Sequence, residues 1–418
     1  MKTFYLRDKK GFLLPLVIIY TIIAMIVGTG ILLLGSLERI EAAKRLHREE
    51  AFYLAEAGIN YAYYKLKEDA SWLPDEGSFF SLGAGTFQLK AETNGDTVTI
   101  TSTGMVKGHQ EKVAATFQKG GGGIFASGIF GTTDVIVNNN SLIDSYDSRL
   151  GPYGGSNIGS EGNTSSNLRI SVSNNGKIKG DAAVGTGNPS DIYVGNNGEI
   201  TGNRIYDASE RTLDPVTIPG DLLSLSYPSW GDPRIQPSGS YTLSGGVLSV
   251  SKNKTITISS GSFRFKKIST DNNSTINITG DARLYIEETL TLNNNVQLNL
   301  GSGVSVEMYI GQNISLENNS RMNYPGDPTK LGLYLAGTSS QTFANNSYVS
   351  ASLYAPNSTI LISNNGGFFG DVVAKKIDLS NNAMLHYDIA LRSQRPPGDP
   401  GGEAEFFFLS WRKPRWIK

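Results

Sequence analysis

The chain has no cysteine, and its three histidines, His47, His109 and His386, are far apart among 418 residues. Without a thiol there is no disulfide framework, cysteine nucleophile, Cys-ligated metal or lipoprotein cysteine. Scattered histidines speak against a multi-histidine metal centre, so neither a metal nor a cofactor is expected. Charge is scarce as well, at 18% of residues with a net value of -1. That excludes the basic footprint of a nucleic-acid binder. What the sequence has instead is 48 glycines and abundant Asn, Ser and Thr. Such a balance suits a turn-rich β protein outside the cytoplasm better than a helical cytosolic enzyme. The length allows two or three domains with a sizeable core.

One long uncharged run stands apart. Lys2, Arg7, Lys9 and Lys10, against a single Asp8, precede a stretch from Gly11 to Leu37 with no charge. A helix over 12–36 is long enough to cross a bilayer, and the basic flank places its N-terminus in the cytoplasm. Everything after it is then extracytoplasmic. A cleaved secretory signal has a shorter apolar core, which fits poorly, and an ordinary uncleaved anchor is the plainest reading.

The junction itself is similar to something more specific. Basic residues followed by Gly11-Phe12 and an apolar run resemble the type III leader of type IV pilin-like proteins. The resemblance implies a leader at 1–11, cut after Gly11 by a prepilin peptidase, and an N-methylated Phe12. Gly11 has no Cβ and permits close backbone approach, and Pro15 falls in the first helical turn, where its missing N–H costs little. Most pilins carry Glu at the position of Leu16, where it is thought to pair with the amine of a neighbouring subunit. Leu16 has no charge to do so, which implies a minor, tip-located or priming component.

The helix continues past the apolar run. Ala51, Leu54, Ala55, Gly58, Ile59, Ala62 and Leu66 form one stripe at helical spacing. The stretch Glu50-AFYLAEAGI-Asn60 resembles the N-terminal region of PilX-type pilus assembly proteins. Leu16, Ala51, Phe52, Ala55, Glu56 and Gly58 are therefore read as helix and filament packing residues. Tyr53, Tyr61, Tyr63 and Tyr64 are expected to pack between the helix and its domain. Residues 85–118 read as an antiparallel meander around Asn94-Gly95, with a third strand from Glu111. His109 is expected exposed in a turn, and Gly120 to Gly123 form a linker.

From Ile124 to Arg392 short β-branched strands alternate with Asn pairs, among them Asn174-Asn175, Asn318-Asn319, Asn345-Asn346, Asn364-Asn365 and Asn381-Asn382. Neighbouring copies lie about 17 to 27 residues apart, the length of one solenoid turn. Asn tolerates the left-handed region, and stacked amides bond one another. We expect a right-handed parallel β-helix over 124–392, with roughly ten turns of about 4.8 Å each. The fold class is then mainly β, with a long N-terminal helix on a small sheet followed by the β-helix; a β-sandwich is the alternative. Leu353-Tyr354-Ala355-Pro356-Asn357, Gly366-Gly367-Phe368-Phe369-Gly370 and His386-Tyr387-Asp388 resemble uncharacterised bacterial β-helix domains that follow PilX-type N-termini.

Among candidate sites, Asp144, Tyr146, Asp147 and Arg149 make the one compact cluster. Two acids three residues apart suggest facing carboxylates of a polysaccharide-active enzyme, or equally a salt-bridged cap on the first turn. Fold alone does not imply an activity, and no catalytic residue is assigned. Lys375, His386 and Asp388 read as surface residues. The tail at 393–418 starts with a Pro/Gly linker. It then carries three Phe, two Trp and four basic residues, expected as a strand that caps the open end of the solenoid, with a docking peptide for a partner or envelope surface as the alternative. The reading is a minor pilin-like surface protein of the inner membrane, acting in filament assembly, priming or adhesion. Its expected partners are prepilin peptidase, other pilins or pilus assembly proteins, and surface carbohydrate, with no nucleic acid. The alternative is a membrane-tethered polysaccharide-binding or -degrading protein.

Overall fold

Leucine, isoleucine and alanine dominate a single helix, α1 (Leu13–Glu68), of 56 residues. In the computed structural model the described residues are 13–69, 72–75, 78–94, 97–119, 124–126, 128–208, 210–399 and 406–412. The leader, the Gly11–Phe12 junction and the glycines at 120–123 lie outside them. Pro15 sits in the first turn of α1. The hydroxyls of Thr21, Thr29 and Ser36 bond back to the carbonyls of Val17, Met25 and Leu33. The apolar half therefore carries few polar side chains, and these three donate within the helix. Over that half the large side chains from Leu14 to Leu37 are exposed.

The second half of α1 is a different surface. Ala51, Leu54, Ala55, Gly58, Ile59, Ala62 and Leu66 are all buried, as their spacing predicts. They pack on an antiparallel sheet of β1 (Phe79–Leu82), β2 (Gly85–Asn94), β3 (Thr97–Val106) and β4 (His109–Lys119). β3 alternates half-buried and buried residues along its length, the period-2 pattern of a sheet with one covered face. Two glycines set the distance between helix and sheet. A Cβ on Gly104 would stand 2.0 Å from the Ala51 carbonyl oxygen, and one on Gly58 would stand 2.2 Å from Ser102 Oγ. Absence of both Cβ atoms is what lets the backbone of α1 lie against β3.

Several expectations fail here. Tyr61 packs against Trp72, Phe80 and Phe87, and Tyr63 stacks on Phe117. Tyr53 and Tyr64, however, are 66% and 57% exposed, because they fall off the buried stripe. His109 is half-buried, its ring 5.9 Å from that of His47, since it starts a strand instead of lying in a turn. The described part of the tail is not the expected cap: Phe406–Arg412 is a fifth strand beside β4 in the small sheet.

The other unit spans Lys119–Phe407. Its strands form parallel ladders in which each strand pairs with the one three further along. Val247–Val250, Lys267–Thr270, Thr289–Leu292 and Asn313–Leu316 make one ladder. Thr255–Ile258, Thr275–Ile278, Gln297–Leu300 and Arg321–Met322 make a second. Gly261–Phe265, Ala282–Ile286, Val306–Ile310 and Leu331–Leu335 make a third. Equivalent inward positions such as Ile256, Ile276, Leu298 and Met322 are buried in one continuous core.

The Asn pairs sit where the sequence places them. Asn139, Asn140, Asn174, Asn175, Asn345, Asn346, Asn364, Asn365, Asn381 and Asn382 all have positive φ between 50 and 62°. Their side chains form ladders: Asn381 donates to Asn364 and Asn364 to Asn345, both at 3.1 Å. Asn319 donates to Asn295 at 3.1 Å, and Asn295 to Asn273 at 3.0 Å. Each amide thus receives from one turn and donates to the next.

Chain order and spatial order differ. β5 (Ile129–Val137) and β6 (Leu142–Tyr146) are interior to the stack, not its first turn. β5 lies between Gly367–Ser380 and the pair Thr164–Ser166 and Arg169–Val172. β6 lies between Met384–Asp388 and Lys177–Ile178. The stack grows from β5 to Arg204–Ile205, and the chain then returns to the far end, where Tyr241–Ser244 pairs antiparallel with Val247–Val250. Along this return Leu213, Val216, Ile218, Leu222 and Leu225 cover an aromatic column whose register runs Tyr285, Tyr309, Tyr334, Tyr354. The last turn of the sequence closes on the first.

Candidate functional site

That closure brings residues 144–153 to residues 369–388. Asp144 lies in register with His386, and both are fully buried. His386 Nδ1 is 2.5 Å from Asp144 Oδ1, and the Tyr153 hydroxyl donates to Oδ2 at 2.9 Å. Lys179 Nζ stands 3.6 Å from the same oxygen. The rings of Tyr153 and Phe369 lie 3.7 and 4.7 Å from the imidazole centroid. His386 Nε2 is buried and has no partner among the described residues. Burial, reinforced by the Asp144 charge, pushes the Tyr153 hydroxyl above the usual tyrosine range.

Asp147 does something else. Its carboxylate accepts from the Arg149 backbone N–H at 3.0 Å, which caps the short 3-10 turn Ser148–Leu150. It also accepts two bonds of 2.8 Å from the Arg149 guanidinium. Those guanidinium bonds hold its pKa below the ordinary value. The two acids of the cluster therefore serve separate partners, His386 and Arg149. This is also no cap on a terminal turn, since β6 is interior.

His386 and Asp388 correct the reading as surface residues. Both lie on the face of their strand opposite the core residues Leu385 and Tyr387, where Ser148 and Tyr153 of the loop after β6 cover them, so neither is exposed. Asp388 Oδ1 accepts from the Ser148 and Ala390 N–H groups at 2.9 and 3.1 Å, tying the loop after β6 to the turn at 389–392. Its Oδ2 has no partner among the described residues, and burial raises its pKa to about 6. Asp371, also fully buried, has its pKa raised well above the usual carboxylate range by burial.

Beside these groups opens a recess of about 150 Å³. One wall is Tyr146, Ser148 and Gly151 to Tyr153, and the other is Tyr324 to Asp327 with Ser350 and Phe369. The rings of Tyr146, Tyr153 and Phe369 stand at 88, 80 and 68° to one another, with centroids 5.8 to 6.4 Å apart. Tyr324 adds a fourth ring, 4.9 Å from Phe369. The loop holding it is fixed by Asn323, at φ 53°, whose amide donates to the Asp327 and Ser350 carbonyls. Among the described residues no group of three or more His, Cys, Asp or Glu is arranged to hold a metal ion.

A family model described as a domain of unknown function, DUF7305, matches residues 237–394. No curated protein matches the chain. Among solved structures, the competence-associated pilin ComZ from Thermus thermophilus is similar at 15% identity. That match covers 88% of this chain and 97% of that one, with a TM-score of 0.32. An ice-binding protein from the Antarctic ascomycete Antarctomyces psychrotrophicus is similar at 12% identity, covering 64% and 97%, with a TM-score of 0.28.

The matched stretch contains Tyr324 to Asp327, Ser350, Phe369, His386 and Asp388, but not Asp144 to Tyr153. The recess is thus half inside and half outside that domain. The helix residues are placed more simply. Leu16 is 43% exposed on the apolar half of α1, where the large side chains are open. Ala51, Ala55 and Gly58 are buried against the sheet of their own chain, while Phe52 and Glu56 flank them half-buried.

Proposed function

We propose that this chain is a minor pilin-like surface protein, anchored in the bacterial inner membrane by residues 12–36 and extracytoplasmic thereafter. The observation that carries this reading is the division of one helix into two surfaces. Its first half is apolar all round and uncovered, a surface that needs lipid or other helices around it. Its second half buries a narrow small-residue stripe on an antiparallel sheet of the same chain. A rigid helix shared between membrane and head is what a filament subunit requires.

On this reading a prepilin peptidase removes residues 1–11 and Phe12 is methylated. Leu16 in place of Glu suits a tip or priming position, with other pilins and PilX-type assembly proteins as neighbours. The three ladders support a right-handed parallel β-helix for the large unit, since parallel crossovers take that hand. Such a module, projecting outward, would act as a structural or adhesive part that meets surface carbohydrate. No enzymatic activity is proposed, because Asp144 is committed to His386 and Asp147 to Arg149.

The test is the N-terminus of the native protein, read by mass spectrometry of the membrane and sheared-surface fractions. A methylated Phe12 is the expected result. An intact Met1 would overturn the pilin reading and leave a tethered surface protein.

A further inference from the structure

We infer that the recess between the loop after β6 and residues 324–327 binds a small alkylammonium cation. Four aromatic rings, Tyr146, Tyr153, Tyr324 and Phe369, line it. Three of them pack edge to face at steep angles to one another, which makes the recess wall mostly aromatic. Aromatic faces carry partial negative charge and attract ammonium groups. The Tyr324 ring already shows this behaviour, with the Arg321 guanidinium 5.5 Å from its centroid. Arg321 is not part of the lining, and neither is any Lys or His.

The charge of the recess points the same way. Asp327 lines it, with one oxygen engaged by Thr329 through its N–H and hydroxyl. Behind Ser148 lies Asp388, wholly buried, with Oδ2 unpartnered among the described residues. Burial raises the pKa of the Tyr146 hydroxyl, and the charges of Asp388 and Asp327 add to that rise. The volume, about 150 Å³, suits a trimethylammonium head or a short amine and falls below the roughly 300 Å³ at which drug-sized sites begin. The polar side chains of the lining are few: tyrosine and serine hydroxyls and one carboxylate. This inference stands independently of the membrane-anchor reading, because every residue it uses lies in the unit Lys119–Phe407.

The experiment is calorimetric titration of the full chain in phosphatidylglycerol nanodiscs, with empty nanodiscs subtracted. The probes are choline, n-butylammonium, the neutral choline isostere 3,3-dimethylbutanol, and maltose. Saturable binding of a cation is expected, with the neutral isostere about tenfold weaker or worse. The tighter of the two cations tells a quaternary head group from a lysine-like amine. Asp327→Asn keeps the acceptor for the Thr329 N–H and is expected to weaken the cation by about tenfold, converted from the loss of one near charge. Tyr324→Ala is expected to weaken it similarly; should that variant fail to fold, Asp327→Asn decides. Equal binding of the isostere, preference for maltose, no saturable binding of either cation, or an unchanged Asp327→Asn would each overturn the inference.

Discussion

Replacing Asn319 separates two reasons for finding asparagine at the corners of the large unit. Asn319 has φ 58°. Its amide donates to Asn295 at 3.1 Å, and its carbonyl accepts from Asn346 at 3.4 Å. Asn319→Ala removes both bonds, which at an exposed corner are worth about 0.5–1 kcal/mol each. It also forces a Cβ-bearing residue without a polar side chain into the left-handed region, at about 1–2 kcal/mol. The sum is about 2–4 kcal/mol. Asn319→Gly loses the same two bonds but adopts the backbone freely, at an entropic cost of about 0.5–1 kcal/mol. Glycine should therefore be the milder change by about 0.5–1 kcal/mol. Hydrogen exchange of peptides covering 313–322 and 341–348 reads the local free energy without requiring the whole chain to unfold as one step. If glycine proves as costly as alanine, or more so, the left-handed backbone is not what selects asparagine here, and the argument fails.

The other predictions concern burial. Gly104→Ala places a Cβ against the Ala51 carbonyl and Ala55 nitrogen, neither of which is a movable side chain, so a loss of about 1–3 kcal/mol or more is expected. Faster proteolysis and exchange across 51–66 would register it. Asp144→Ala strips His386 of its buried partner and should cost about 3–5 kcal/mol, whereas Asp147→Ala removes a half-exposed ion pair and a cap and should cost about 1 kcal/mol. Urea midpoints of the two variants compare them directly. Asp388 gives a pH dependence of definite sign. Its folded pKa of about 6 exceeds the unfolded value of about 3.9, so the folded state holds the proton more tightly. Its contribution is full below about pH 4, is lost as pH rises to about 6, and totals about 3 kcal/mol. Asp371 acts in the same direction, so Asp388→Asn should flatten only part of the slope in stability measured from pH 4 to 7.

The elements that depend on neighbours in sequence were legible in it. The helix stripe from Ala51 to Leu66, the meander at 85–118 and the left-handed Asn corners follow from spacing and from backbone preferences of single residues. Tyr53 and Tyr64 were misread although both fall outside the stripe that the same spacing defines, because aromatic character was given more weight than helical position. The strand Phe79–Leu82 was missed because a short aromatic run carries no periodicity to tell strand from linker, whereas the tail was read as a strand but not as a neighbour of β4.

For the recess the division is sharper. The sequence singled out Asp144, Tyr146, Asp147 and Arg149 because they are close together along the chain. It could not say that Asp144 meets His386 across 242 positions or that Tyr324 and Phe369 complete the aromatic walls. Which turns become neighbours depends on a stack entered in its interior and closed by Gly367–Ser380 and Met384–Asp388 against β5 and β6. Parallel ladders of similar Ile, Val, Leu and Asn pair almost equally well in many orders. Local pattern therefore specifies each turn, while the order of turns, and the site built between the first and the last, is decided only when the whole core is packed.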